Sequence, residues 1–404
     1  MKILIWTQYF WPETFHINQL VGELEKQGMQ VTVLTGKPNY PDGRIFDGYR
    51  ALGIQTEYRG GIEIIRLPIR ARGKGAATGL ILNYLSFVFS GYCLALWALR
   101  RKKFDVIFVY APSPLLQALP AIFFSWAKGV PLALWVQDIW PDALRSTGYI
   151  KNRYSLSVIS YLVKYIYRYS DSILIQSEGF RDSVLRYCND NRKVSFFPNS
   201  AEEFSASQVA SSDWSNVSRY FSVVFAGNIG VAQSCYTILE AARRLKDVEG
   251  IRFFIVGSGS MESSIAQRVI DEKLHNVELL GRVSSKDVSA IYAASSVLLL
   301  TLKADPALSS TVPSKFQSYL AAGKPIIASC NGQVAKLLED AGAGLSCAAE
   351  DSSELAAAVL ELFRSDPHKL SQMGACGKLY FSRNFTLAAC ASRLIVHLKK
   401  LVGG

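Results

Sequence analysis

A strand–helix alternation runs through the first half of this chain and begins again in its second. Apolar runs of strand length stand at Lys2–Trp6, Val31–Thr35, Glu63–Pro68, Asp105–Val109, Leu132–Val136, Ser172–Ile175 and Val194–Phe197. Helical stretches separate most of them. The series restarts at Phe221–Ala226, Arg252–Val256, Val277–Leu280, Val297–Thr301 and Ile326–Ser329. Apolar strands alternating with helices read as parallel sheets covered on both faces. The expectation is an α/β chain of two doubly wound, Rossmann-like domains, and 404 residues suffice for two cores. The stretch 200–218, rich in Ser, Ala and acids, reads as the linker between a domain over 1–199 and one over 219–383.

Half of the residues are hydrophobic and 19% are charged, which excludes a disordered or fibrous chain. Seven cysteines without a C-x-x-C pair and four scattered histidines give no zinc pattern, and they suit reduced thiols in the cytoplasm. The Met1-Lys2-Ile3 start leads straight into a strand, so no export signal is read. Nearly all of the net charge of +11 lies in residues 1–200. A basic half of this kind points to nucleic acid, an anionic membrane surface or phosphorylated substrates, against a plain solvated surface.

Two segments bear on that choice. Gly75–Leu99 carries no charge and is flanked by Arg66, Arg70, Arg72 and Lys74 on one side and Arg100–Lys103 on the other. It is long enough to span a bilayer, but Thr78, Asn83, Ser86 and Ser90 interrupt it and it sits inside a βα series. A buried or partly exposed domain helix is the favoured reading, ahead of a monotopic membrane contact and of a true span. In Tyr154–Tyr169, helical spacing places Val158, Leu162 and Ile166 on one face and Tyr161, Lys164, Tyr165 and Arg168 on another. A Tyr and Lys/Arg stripe suits the lipid headgroup zone, or an ordinary solvated face.

Ligands of doubly wound sheets bind beyond the carboxyl ends of the strands, so those loops hold the candidate site. In the first half they supply Glu13, after the first strand, and Asp138 and Asp142, after Leu132–Val136. Asp142 can equally cap a helix beside Pro141. In the second half, Gly227 and Gly230 of FAGNIG let backbone N–H groups approach a phosphate, as does Gly257-Ser258-Gly259. The richest stretch is Ser309–Ala328, SSTVPSKFQSYLAAGKPIIA. A helix is expected to open with Pro313 in its first position, exposing N–H groups beside Ser314 and Lys315, a set that binds a diphosphate.

At this stretch the sequence resembles the retaining nucleotide-sugar glycosyltransferases of family 4, which have the GT-B fold. MKILIWTQYFWPE, VSFFPNS, FAGNIG, FFIVGSGS, VELLGRVS and VPSKFQSYLAAGKPII follow the family in order, and SRNFTLAACASRLIVHL is similar to its last helix. LWVQDIWPDAL, FAGNIGVAQ and VPSKFQSYLAAGKP look most like the WbuB-type subgroup, proposed N-acetyl-L-fucosamine transferases of O-antigen and capsule assembly. The resemblance implies two domains facing across a cleft, with helix 384–404 returning to the first. It implies a UDP-sugar donor, held by Gly227, Asn228, Gln233, Arg282, Val283, Ser310, Thr311, Val312, Pro313, Ser314 and Lys315, with the base near Arg282-Val283. Asp138 or Glu13 would orient the acceptor, and Lys315 would stabilise the leaving diphosphate. No acidic pair is placed to hold a metal, so the implied reaction needs no metal or other cofactor. The implied acceptor is a lipid-linked saccharide, with the protein peripheral on the inner leaflet of the cytoplasmic membrane and no nucleic-acid partner.

Departures from the family accompany the resemblance. Ser310 and Ser318 stand where it usually has two Glu, Asn228 and Gln233 where it has Arg and Lys, and Gln137-Asp138 where a His-Asp pair is common. Rival readings are a nucleotide-sugar epimerase of GT-B type and a nicotinamide oxidoreductase, the latter lacking G-x-G-x-x-G. A non-enzymatic membrane-binding module would leave a cleft without a use.

Overall fold

A computed structural model of the chain describes residues 1–73, 77–142, 152–201, 203 and 214–403. The chain forms two compact units, Met1–Ser200 with Leu387–Gly404, and Ala201–Thr386.

The first unit is built on an eight-stranded sheet. Its strands are β1 (Lys2–Trp6), β2 (Gln30–Gly36), β3 (Gln55–Arg59), β4 (Ile62–Leu67), β5 (Val106–Ala111), β6 (Leu132–Val136), β7 (Ser172–Ile175) and β8 (Val194–Phe196). The order is β3-β4-β2-β1-β5-β6-β7-β8. All pairs are parallel except β3 with β4, which a Gly60-Gly61 turn joins antiparallel. The central strands are buried on both faces, which is why they read as unbroken apolar runs. One face packs on Leu4, Trp6, Phe87, Leu115 and Ile166; the other packs on Ile5, Leu20, Leu24, Phe108 and Trp135. The C-terminal helix Leu387–Gly403 belongs to the second of these clusters through Cys390, Leu394 and Leu398. Ser392 Oγ donates to Gln27 Oε1 at 2.9 Å, tying it to the His16–Lys26 helix.

The second unit holds β9 (Phe221–Ala226), β10 (Ile251–Val256), β11 (Val277–Gly281), β12 (Val297–Thr301), β13 (Ile326–Ser329) and β14 (Gly344–Cys347). They form a wholly parallel sheet in the order β11-β10-β9-β12-β13-β14, with a core on each face. Both units are thus Rossmann-like, and the fold class read from the alternation is the one found. In each sheet the order reverses beside the first strand, between β1 and β5 and between β9 and β12. Those switch points open crevices at the carboxyl ends of the strands.

Some boundaries differ from the reading. Of the linker expected over 200–218, Ser215–Ser218 form a short helix whose Val217 enters the core of the second unit. Residues 202 and 204–213 of that stretch lie outside the described residues, as do Lys74, Gly75 and Ala76. The helix expected from 384 begins at Leu387, because Pro367–Asn384 already forms a helix of the second unit. The Arg153–Arg168 helix buries Val163, Ile166 and Tyr167 and leaves Val158 61% exposed, so its core face is turned from the one expected.

Candidate functional site

The second unit brings four loops together at the carboxyl ends of β9 to β12. Gly227-Asn228 follows β9, Gly257-Ser258 follows β10 and Arg282-Val283 follows β11; Ser314-Lys315 opens the helix beyond β12. They line one cavity of about 440 Å³, with Val288, Tyr292 and Ser318. The glycines are required by close backbone approach. Gly227 N–H donates to Val256 O and Gly257 N–H to Gly281 O. Gly257 has φ +135°, and a Cβ there would stand 1.8 Å from Gly227 O. No L side chain fits that contact, so the loop after β10 must carry glycine at 257 to lie against the loop after β9.

The helix Ser314–Ala322 is held to the sheet by Tyr319. Its fully buried hydroxyl accepts from Ala226 N–H at 3.0 Å and lies 3.2 Å from Leu299 O. This fixes the helix start against the end of β9. Pro313 is the N-cap, with ψ 142°, and not the first helical residue as expected. It brings no capping side chain, so the first turn directs uncapped N–H groups and a positive dipole end toward the cavity.

Lys315 completes the site. Its ammonium is buried against the Phe225 ring, 4.1 Å from the centroid, and no hydrogen-bond partner meets it among the described residues. A Cβ on Gly227 would touch it at 3.3 Å. Burial lowers its pKa to about 8, so it still carries its charge at neutral pH. A buried unpaired cation beside a glycine loop and an uncapped helix start forms a site for an anion.

Not every expected donor residue joins the cavity. Gln233, Ser310, Thr311, Val312 and Pro313 do not line it. Gln233 Oε1 accepts from Asn228 Nδ2 at 3.3 Å, and so shapes the loop after β9 from behind. Ser310 and Thr311 donate back to Pro306 O and Ala307 O within their own helical turn, and Val312 is a core residue. Sequence reasoning does not single out Tyr292 or the anchoring Tyr319. A phenol one turn beyond Lys315 is the available sign for Tyr319.

In the first unit, Glu13 lies buried between the loops after β1 and β2. Its Oε1 accepts from Asn39 and Tyr40 N–H at 2.8 Å each, and its Oε2 from Phe10 N–H at 3.3 Å. Burial raises its pKa to about 7 against the pull of those donors. Glu13 thereby braces the two loops. Asp138 is exposed at the end of β6, where the walls around it desolvate the carboxylate and raise its pKa to about 6. Among the described residues, the buried Nε2 of neighbouring Gln137 meets no hydrogen-bond partner, nor does the buried Oδ1 of Asn199. Gln176 links the two, donating to Gln137 O at 2.9 Å and accepting from Asn199 Nδ2 at 2.8 Å. Asp142 pairs with Arg186 at 3.8 Å.

Tyr161, Lys164, Tyr165 and Arg168 are all exposed on the Arg153–Arg168 helix. The Ala77–Ala98 helix of the same unit is two-sided. Asn83 is fully buried and accepts from Gln8 Nε2 at 2.7 Å, whereas Phe89 is 70% exposed. Tyr92 of this helix lies 5.6 Å from Phe123, itself 6.4 Å from Trp126 on the Ala118–Lys128 helix, and Trp126 is 80% exposed.

Comparison with known proteins places this geometry. The family described as "Glycosyl transferase 4-like domain" matches residues 14–200, and "Glycosyl transferases group 1" matches residues 220–365. A protein of Escherichia coli K12 described as a colanic acid biosynthesis glycosyl transferase, WcaI, is 26% identical over 80% of this chain and 82% of its own. The uncharacterized glycosyltransferase MJ1178 of Methanocaldococcus jannaschii is 22% identical over 96% of this chain and 95% of its own. Among solved structures, Anabaena HepE in complex with UDP superposes with a TM-score of 0.70 at 14% identity, covering 99% of this chain and 100% of its own. Sucrose-phosphate synthase from Thermosynechococcus elongatus does so with 0.72 at 15%, covering 100% and 99%. With two Rossmann-like units, each matched by its own glycosyl transferase family, the chain belongs to the glycosyltransferases of GT-B fold.

Proposed function

We propose that this glycosyltransferase moves a sugar from a UDP-sugar to a lipid-linked saccharide in bacterial surface polysaccharide synthesis, with retention of anomeric configuration. The observation that carries the donor side is the unpaired Lys315 ammonium in a cavity lined by glycine backbone and an uncapped helix start. As the glycosidic bond breaks, negative charge grows on the departing diphosphate. Lys315 and the N–H groups of Ser314 and Lys315 stabilise that charge, an electrostatic role that needs no metal. Val283, Val288 and Tyr292 offer an apolar wall for the base. Asp138, with its raised pKa, orients the acceptor hydroxyl, and the leaving phosphate takes the proton. The UDP named in the HepE complex and the colanic acid pathway of WcaI support the nucleotide and the polysaccharide. N-acetyl-L-fucosamine is the sugar that the motif resemblance suggests. The family matches do not favour an epimerase.

The acceptor reading rests on the first unit. Exposed aromatic and apolar side chains run across three helices through Phe89, Tyr92, Phe123, Trp126 and Tyr165. Arg100, Arg101, Lys128, Lys164 and Arg168 stand on or beside the same helices. An aromatic face with a basic rim suits an anionic lipid surface, as on the inner leaflet of the cytoplasmic membrane. Calorimetric titration with UDP, GDP and dTDP tests the donor side: absence of UDP binding would reject it.

A further inference from the structure

The lining of the donor cavity bears on which nucleotides it admits. It presents two cationic side chains, Arg282 and Lys315, an apolar wall, and the neutral polar groups of Asn228, Ser258, Ser314 and Ser318. No carboxylate lines it among the described residues. Nucleotide sites on doubly wound sheets commonly hold the ribose 2′-hydroxyl with an Asp or Glu, in a charge-assisted hydrogen bond. Ser318 stands one helical turn beyond Ser314, on the face of the helix that lines the cavity with Lys315. A ribose linking a diphosphate at Lys315 to a base at the Val283–Tyr292 wall would lie in the cavity that Ser318 also lines. The Ser318 hydroxyl donates to Ser314 O at 3.4 Å, so it turns only the lone pairs of a neutral oxygen toward the cavity.

We propose that this cavity reads the diphosphate and the base but scarcely the ribose 2′-hydroxyl, and that Ser318 sets this tolerance. The enzyme then takes 2′-deoxynucleoside diphosphates nearly as well as ribonucleoside diphosphates. The inference rests on the donor reading above and narrows its substrate class. Magnitudes separate the alternatives. A lost hydrogen bond to a charged acceptor weakens binding by roughly 10- to 150-fold, and one to a neutral hydroxyl by no more than about tenfold.

The test is calorimetric titration of the full chain with UDP and with 2′-deoxy-UDP, which differ only in the group at issue. The expected dissociation constants agree within about tenfold. Ser318→Glu supplies the missing carboxylate and is expected to widen the preference for UDP beyond tenfold; Ser318→Ala is expected to leave the ratio where it was. Deoxy-UDP binding more than about tenfold weaker to the wild type overturns the inference while the donor reading stands. An unchanged ratio in Ser318→Glu, with UDP still bound, removes Ser318 from the role. Failure of the wild type to bind either nucleotide overturns the donor reading itself.

Discussion

The Lys315 ammonium rests 4.1 Å above the Phe225 ring and has no hydrogen-bond partner among the described residues. Attraction to the ring offsets part of the cost of removing that charge from water, but not all of it. A diphosphate would satisfy the cation that the fold leaves unpaired.

Replacing it separates stability from binding. Lys315→Met keeps the volume and removes the buried charge, so the melting temperature should hold or rise. UDP binding should weaken by about 1.5–3 kcal/mol, the worth of hydrogen bonds to a charged group. Equal UDP affinities for the two proteins in calorimetry would remove Lys315 from the donor site.

The same lysine gives the site a pH dependence. Burial lowers its pKa to about 8, and an anionic ligand binds the protonated form. Affinity for UDP should be level from neutral pH to about 8 and then fall as pH rises, by at most tenfold per unit. Lys315→Met should show no such fall. A wild-type profile that stays flat through roughly pH 9.5 would mean that the charge does not contribute.

No carboxylate lines the cavity among the described residues, so metal independence is the expected outcome. UDP binding, and turnover once the sugar is identified, should be the same in EDTA as in manganese or magnesium. Activity that is lost in EDTA and restored by either ion would require carboxylates from elsewhere in the chain.

The first unit should show an acid sensitivity traceable to His16. Burial lowers its pKa to about 4, with Ser200 Oγ 3.2 Å from its Nε2. The unfolded chain binds the proton near pH 6.5 and the folded one only near 4, so this stability is full above 6.5 and is lost as pH falls toward 4. The total is about 3 kcal/mol, at 1.36 kcal/mol per pKa unit. Glu13, raised to about 7, acts in the opposite sense across much of that window. The informative quantity is therefore the difference between wild type and His16→Gln in urea midpoints from pH 7 to 4. If that difference does not change with pH, the imidazole titrates normally in the folded state.

The parallel strands and the donor loops are legible in the sequence because their causes are local. Strands buried on both faces are continuous apolar runs, and a lysine after Pro313 with glycines after β9 and β10 marks a phosphate-binding geometry. The edge strands β3 and β14 escape such a reading. β3 is polar and largely exposed, so nothing in it alternates, although Gly60-Gly61 carries the turn signal of a hairpin. β14 has four residues and opens with glycine. The bracing role of Glu13 is hidden because its partners, the backbones of Asn39 and Tyr40, lie 26 and 27 residues away and leave no mark in composition. Asn83 shows the same limit: within an apolar run it resembles an interruption, and only the fold brings Gln8 and Arg70 to it.

The Thr78–Ala98 helix is long and apolar enough to cross a bilayer, yet Asn83 and Phe87 are fully buried in the first unit while Ile81, Leu85 and Phe89 face outward. A spanning orientation would strip the polar partners from Asn83, so the helix is expected to lie against the surface with its outer side in the lipid. Trp126 and Phe123 extend that side onto a second helix, and Lys164 and Arg168 add charge from a third. Each cation near an anionic leaflet contributes about 1 kcal/mol, screened by salt, and the apolar contact adds a part that salt does not remove. The full chain should therefore co-sediment with vesicles containing phosphatidylglycerol, and high salt should release only a fraction. Lys164→Glu with Arg168→Glu should weaken the salt-sensitive part, to which Arg100, Arg101 and Lys128 still contribute. Phe123→Ser with Trp126→Ser should abolish much of the rest, and UDP affinity should be unchanged in both, because the donor cavity is lined wholly by the second unit. Binding that survives the aromatic substitutions would confine the contact to the Thr78–Ala98 and Arg153–Arg168 helices. A wild-type chain that ignores anionic vesicles at low salt would instead assign the basic half to phosphorylated acceptors in solution.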